Sequence, residues 1–204
     1  MTVKDILITA STLLNRSDIK DFINGKAVEN YNQVEEDFNL LLNCYNLVEE
    51  EISTDYFRLK DTQTFTVVDG VIKCQDFKNN VLTVLSVKNL NGSAVNAEIK
   101  PDGIYTNENK VEIEYTFVAP YKTLKDVSSF IYTPITKRAI AYGTITEYSL
   151  IKGDYEEAVT WHKKYINALT SSLSNKKIKK IKERKWLWLY MITNYPFLII
   201  KTRK

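Results

Sequence analysis

Apolar positions recur every three or four residues at the start of the chain, every second residue in the middle, and at helical spacing again later. Val3, Ile6, Leu7, Ala10, Leu13 and Leu14 predict an amphipathic first helix, with Thr2 and Asp5 as a capping pair. Ser17 is placed as the cap of a short second helix carrying Ile19, Phe22 and Ile23, which Asn24-Gly25 ends. Tyr31, Val34, Phe38, Leu41, Leu42, Tyr45, Val48 and Ile52 then outline a long third helix, with Glu35, Glu36, Glu49 and Glu50 mostly opposite.

From about Tyr56 to Ala119 the period is two. Asp69-Gly70, between Thr64–Val68 and Val71-Ile72, is a short-loop hairpin signal, because Asp-Gly supplies the positive φ angles of a type I′ turn. Strands are expected over Val81–Val87, Ala94–Ile99 and Lys110–Val118, with a turn at Asn91-Gly92. In the last strand Val111, Ile113, Tyr115 and Phe117 share one face, and Glu112 and Glu114 the other, as in a sheet packed on one side. After Pro120 and a loop with Phe130 and Tyr132, Ile135–Ile151 reads as a helix with small residues at Ala139, Ala141 and Gly143. Gly153 ends it, and Asp154 caps a last helix with Ala158, Trp161, Tyr165, Ala168 and Leu169 on one stripe. That stripe reads as core.

The prediction is therefore an α+β chain. Residues 1–55 and 121–173 form a helical bundle, and a small antiparallel β-sheet or barrel, 56–120, is inserted between its N-terminal and C-terminal helices. Residues 174–204 form an extended C-terminal arm.

Charge sharpens this division. The stretch from Lys176 to Lys204 holds 10 of the 28 Lys and Arg residues and one of the 25 acids, Glu183. The remaining 18 cations and 24 acids leave a body of formal charge −6 beneath the net +3. Six Gly leave no room for a glycine-rich phosphate loop. Cys44 and Cys74 form no CxxC and have one His for company, so no metal or other cofactor is expected, and both read as buried thiols in a reducing compartment. With Lys4 and Asp5 before its apolar positions, the start does not read as a signal peptide.

Catalytic candidates are poor. His162 is expected on an exposed or half-exposed flank without an obvious partner, and Glu49–Glu51 and Glu156-Glu157 read as solvated faces or first-turn dipole complements. No GxSxG, HExxH or Walker pattern occurs, so the chain is not expected to be an enzyme.

The tail is the functional candidate. Lys176, Lys177, Lys179, Lys180, Lys182, Arg184 and Lys185, with Ile178 and Ile181 between them, suit an acidic protein groove or nucleic-acid phosphates. The bland alternative is a solvated terminus, but Trp186 and Trp188 are interface anchors rather than loose-tail residues. The apolar run Trp186–Ile200 contains Thr193, Asn194 and Pro196 and falls short of the roughly 20 residues that span a bilayer, so no membrane crossing is expected. Its flanking cations resemble interfacial anchors, but a protein groove fits better.

Arg138-Ala-Ile-Ala-Tyr-Gly-Thr-Ile-Thr-Glu-Tyr-Ser-Leu-Ile-Lys-Gly-Asp-Tyr-Glu-Glu-Ala158, followed by Trp161 and Tyr165, resembles the paired helices of tailed-phage head–tail connector proteins. These are the adaptor, head-completion or tail-tubular proteins. Lys179-Lys-Ile-Lys-Glu-Arg-Lys-Trp186 is similar to the Lys/Arg-rich ending with a terminal Trp found in several members. The resemblance covers Ile135–Trp186 in wording and the rest in layout; Leu187–Ile200 goes beyond the pattern. It implies a structural virion protein of the phage neck, present in the host bacterial cytoplasm before assembly. Such proteins form a ring, typically a dodecamer, that joins portal to tail or neck proteins and extends the DNA channel, with transient contact to DNA. Portal docking would then fall to Lys176, Lys177, Ile178, Lys179, Lys180, Ile181, Lys182, Arg184, Lys185, Trp186 and Trp188. The rival is a small nucleic-acid-binding protein that grips DNA with the same tail.

Overall fold

The computed structural model describes residues 1–173; the predicted arm lies outside the described residues. The fold is α+β, with five α-helices and two small antiparallel sheets. Residue contacts divide the chain into a helical unit, Met1–Val48 with the chain from Lys122 onward, and a β unit, Glu49–Tyr121.

The helical unit contains α1 (Val3–Leu13), α2 (Ser17–Ile23), most of α3 (Tyr31–Glu51), α4 (Lys137–Lys152) and α5 (Tyr155–Leu173). α1 opens as expected: Asp5 N donates to Thr2 Oγ1 at 3.1 Å and Thr2 N to Asp5 Oδ2 at 3.2 Å, a reciprocal capping box. The expectation for α2 is corrected. Ser17 is its first residue, and Arg16 occupies the cap position with no side-chain cap bond, because a guanidinium has no acceptor to offer a backbone N–H; it pairs instead with Asp18 and Asp37. Thr136 caps α4, accepting from Ala139 N at 3.2 Å, and Gly153 closes it at φ 84°. Asp154 follows, and its backbone carbonyl accepts from Ala158 N at 2.9 Å to start α5.

α4 and α5 pack through the small-residue stretch of α4. At Gly143 a Cβ would stand 2.8 Å from Val48 Cγ1 and 3.0 Å from Tyr165 Cε2, so only glycine lets these side chains come this close. Of the stripe read as core, Ala158, Trp161, Tyr165 and Leu169 are buried and Ala168 is half-buried.

In the β unit, α3 ends in a π-helical turn, Ile52–Tyr56, closed by Phe57 N donating to Ile52 O at 2.7 Å. Six strands follow: β1 (Leu59–Thr66), β2 (Val71–Lys73), β3 (Val81–Asn89), β4 (Glu98–Lys100), β5 (Gly103–Tyr105) and β6 (Lys110–Phe117). They form two three-stranded sheets, ordered β1-β6-β3 and β2-β5-β4, where one sheet or barrel was expected. The Asp69-Gly70 turn forms with φ of 55° and 76°, and Val71 N donates to Val68 O at 3.1 Å. Its flanking strands do not stay paired, however. β1 runs along β6 from Leu59↔Phe117 to Thr66↔Lys110, while β2 joins β5. The expected strand Ala94–Ile99 shrinks to β4 plus an isolated bridge, Lys88↔Ala94, and β5 is too short to have shown alternation. The face read on β6 is buried at Val111, Ile113 and Tyr115 and half-buried at Phe117; with Phe65 of β1 it packs around Phe77, whose ring lies 4.6 Å from Phe65 and 4.9 Å from Tyr115.

Candidate interaction surface

None of the predicted docking residues, Lys176 to Trp188, falls among the described residues, so what can be built up is the surface that residues 1–173 present. Three clusters stand out on these residues, and two of them are structural.

The first lies where the α1–α2 connection meets α3 and α4. Asp37, only 5% exposed, accepts from Arg16 Nη2 at 2.6 Å and from Lys152 Nζ at 2.5 Å. Arg16 also grips Asp18 with Nε and Nη2 and donates to Tyr148 Oη at 3.0 Å. Burial alone would raise the Asp37 carboxyl, but hydrogen bonds from Lys152 and Arg16 and their positive charges outweigh it and hold it below the usual carboxylate range. The hydrogen bond to Arg16 likewise lowers Asp18, and the bond to Asp37 raises Lys152. Every charge here is spent on a neighbouring charge, which makes a clamp between helices rather than an acid/base pair.

The second cluster surrounds His162. This residue was expected on an exposed or half-exposed flank and is buried instead. It stands four residues after Ala158 and three before Tyr165, on the buried stripe of α5, with its ring 6.2 Å from that of Tyr165. Trp161 beside it donates from Nε1 to Glu157 Oε1 at 3.0 Å, lies 5.5 Å from the Tyr142 ring and carries Lys164 Nζ 3.8 Å above its face. Among the described residues no three His, Cys, Asp or Glu side chains assemble as a possible metal set.

The third cluster is a surface of the β unit. β3 is an edge strand, and its register against β6 jumps twice, between Val81 and Thr83 and between Val84 and Ser86. The skipped residues, Leu82 and Leu85, are both exposed, as bulges re-aim side chains out of the pleat. Beside Leu82 opens a groove of about 510 Å³ lined by Phe77, Val84, Ile99 and Ile104 among others. Two of its lining residues, Ile104 and Ile99, belong to one cross-strand row: Ile72 pairs with Ile104, and Ile104 with Ile99. Exposure along that row climbs from 2% and 3% to 59%, so apolar surface continues from the core of the smaller sheet to Ile99, between Glu98 and Lys100, and Lys100, Asn80 and Thr83 also line the groove.

Cys74 lines the same groove and is exposed, a correction to the expectation that both thiols are buried: it falls in a short 3-10 turn, Cys74–Asp76, instead of a strand. Cys44 is buried, and burial together with the nearby Glu147 charge pushes its thiol up to about 12.

Charge separates the units too. Residues 49–121 hold 12 acids and 7 Lys or Arg, a formal −5, whereas the described helical residues hold 12 acids and 11 Lys or Arg, −1. The acidity of the body is thus almost entirely that of the β unit. Among the described residues no helix is long and apolar enough to cross a membrane. No protein-family model matches this sequence, and no curated protein matches it.

The groove escaped sequence reasoning, although a signal was present. Val81-Leu-Thr-Val-Leu-Ser-Val87 repeats every three residues, which a strand of period two seats only by bulging.

Proposed function

We propose that this chain is a non-enzymatic virion protein that assembles with copies of itself into a ring between the portal and tail of a tailed phage. One observation carries the reading. The residues of the connector resemblance are the ones that build the α4–α5 pair: Gly143 admits Val48 and Tyr165, Gly153 turns the chain, and Ala158, Trp161, Tyr165 and Leu169 fill the interface. The insertion of a β unit between helices matches the layout of the resemblance as well. In this reading the protein waits in the host bacterial cytoplasm and ends in the virion neck, touching portal, tail or neck proteins and, transiently, the DNA in the channel. The arm, with Lys176, Lys177, Lys179, Lys180, Lys182, Arg184, Lys185, Trp186 and Trp188, anchors on the portal through charge steering and aromatic anchors. The acidic β unit suits the neighbourhood of passing DNA, since exposed acids do not grip phosphates.

The test is light scattering of full-length protein with and without a phage portal protein, for the natural chain and for Lys179→Glu/Lys180→Glu/Trp186→Ala. The expected result is a ring-sized complex with portal for the natural chain and none for the variant. Indifference to portal, combined with duplex-DNA affinity that falls steeply with salt, would overturn the proposal in favour of a nucleic-acid-binding protein.

A further inference from the structure

We infer that the groove of the β unit is the seat of the chain's own last apolar residues, Phe197–Ile200, donated by a second copy. The inference rests on the ring reading and deepens it, since it names what joins one subunit to the next. A ring needs a head-to-tail contact between two different patches, and a groove plus a segment supply such a pair.

Three observations choose this occupant. The groove has a largely apolar lining: Phe77 and Ile104 are buried, while Ile99 and Leu82 stand exposed. At about 510 Å³ it falls within the range of roughly 300–1,000 Å³ that takes compact apolar ligands. The segment has matching chemistry, Phe197-Leu-Ile-Ile200 followed by Lys201, Arg203 and Lys204, with no acid after Glu183. The carboxylates beside the groove are Glu98, which pairs with Lys100 Nζ at 3.1 Å, and Asp102, which accepts from Tyr105 Oη at 2.6 Å, and both are exposed to incoming cations. The chain also has the reach. The twelve residues 174–185 between the end of α5 and Trp186 span up to about 40 Å when extended, more than the roughly 30 Å across a small domain. Docking the apolar run on a neighbour leaves the basic stretch 176–185 for the portal.

Cys74 reports occupancy without any added probe on the protein. It lines the groove and is exposed, whereas the buried Cys44, with its thiol pushed up to about 12, contributes little alkylation at neutral pH. Full-length protein is treated with iodoacetamide at assembly concentration, and labelling of each cysteine is followed by peptide mass spectrometry. The comparison chain is Phe197→Asp/Ile199→Asp, which carries both cysteines and every described residue unchanged. In the natural chain Cys74 is expected to react about tenfold more slowly, the factor for a groove occupied roughly nine-tenths of the time. Adding an excess of Cys74→Ser chains with an intact C-terminus to the Asp variant should restore the protection, and adding Cys74→Ser/Ile199→Asp chains should not. Equal Cys74 rates in the natural chain and the Asp variant overturn the inference. So does protection in the natural chain that is independent of concentration and not restored in trans, because the segment would then seat in its own chain. A variant that still forms the portal-bound ring while its Cys74 reacts as in the natural chain sinks the docking but leaves the ring standing. Failure of the natural chain to assemble with portal at all sinks the ring reading instead.

Discussion

In the helical unit, Ala139, Ile140, Ala141, Ile145, Ala158, Tyr165 and Leu169 are fully buried, and charges that enter the interior are paired there. In the β unit, a row of three cross-strand isoleucines ends in solvent, two bulges turn leucines outward, and the excess of acids lies outside the strands, with Glu49, Glu50, Glu51 and Asp55 at the end of α3 and its π-helical turn. Both units have a closed core, so the difference does not lie in whether they fold. It lies in what each leaves undone: the helical pair completes its apolar contacts within the chain, whereas the smaller sheet leaves Ile99 at the end of its isoleucine row in solvent. Stability and recognition are therefore expected to respond to different halves of the sequence.

The largest effect should come from Tyr165→Ala. This fully buried ring packs where Gly143 lets α4 approach, and an aromatic-to-alanine change in such a site costs about 4 kcal/mol. Urea unfolding followed by helical circular dichroism reads this directly. A loss under about 1 kcal/mol would mean that the α4–α5 interface is looser than its geometry, and the contrast between units would weaken.

Asp37→Ala should follow at roughly 2 kcal/mol, because it takes the carboxylate partner from Lys152 and leaves Arg16 with Asp18 alone. The same clamp sets an acid limit. Asp37 and Asp18 are both held below the ordinary carboxylate value, so their contribution is fully present above about pH 4 and is lost as pH falls through their lowered native values. Melting temperature against pH should therefore drop on the acid side for the natural chain. In Asp37→Ala the drop should be shallower.

These two sites also show what could be read in advance. The stripe Ala158, Trp161, Tyr165, Leu169 and the stops at Asn24-Gly25 and Gly153 follow from local rules, since a helix repeats one geometry and its ends have few solutions. The Asp37 clamp does not, because it joins residues 21 and 115 positions apart, and no spacing in α3 marks one carboxylate out of many. The β unit divides in the same way. Alternation in β6 gave its faces and Asp69-Gly70 gave its turn, but which strands pair is a long-range choice, and two divergent sheets took the place of the expected hairpin. His162 was misplaced for a simpler reason: polarity outweighed its position three residues before Tyr165. For the arm, sequence chemistry remains the whole of the argument, because Lys176 to Trp188 lie outside the described residues.

A smaller effect tests the helical ends. Thr2→Ala removes the acceptor for Asp5 N and half of the capping box, and should lower stability by about 1 kcal/mol without touching any partner contact. Portal binding at equal folded fraction should be unchanged, which separates loss of fold from loss of recognition.

The smallest change in stability should come from Ile99→Ser, and it divides the two roles most sharply. Ile99 and Ile104 face each other across β4 and β5, yet Ile104 is 3% exposed and Ile99 59% exposed. Removing the apolar group from Ile104 opens a cavity under the sheet and puts a hydroxyl into it, so Ile104→Ser should cost about 3 kcal/mol. Ile99→Ser removes a side chain that solvent already reaches, and its unfolding free energy should stay within about 0.5 kcal/mol of the natural chain. If the row is exposed for a purpose, the silent change in stability will be accompanied by a clear loss of self-association in sedimentation. If Ile99→Ser instead unfolds the β unit as Ile104→Ser does, Ile99 is part of that unit's own core, and the contrast between a finished and an unfinished surface disappears.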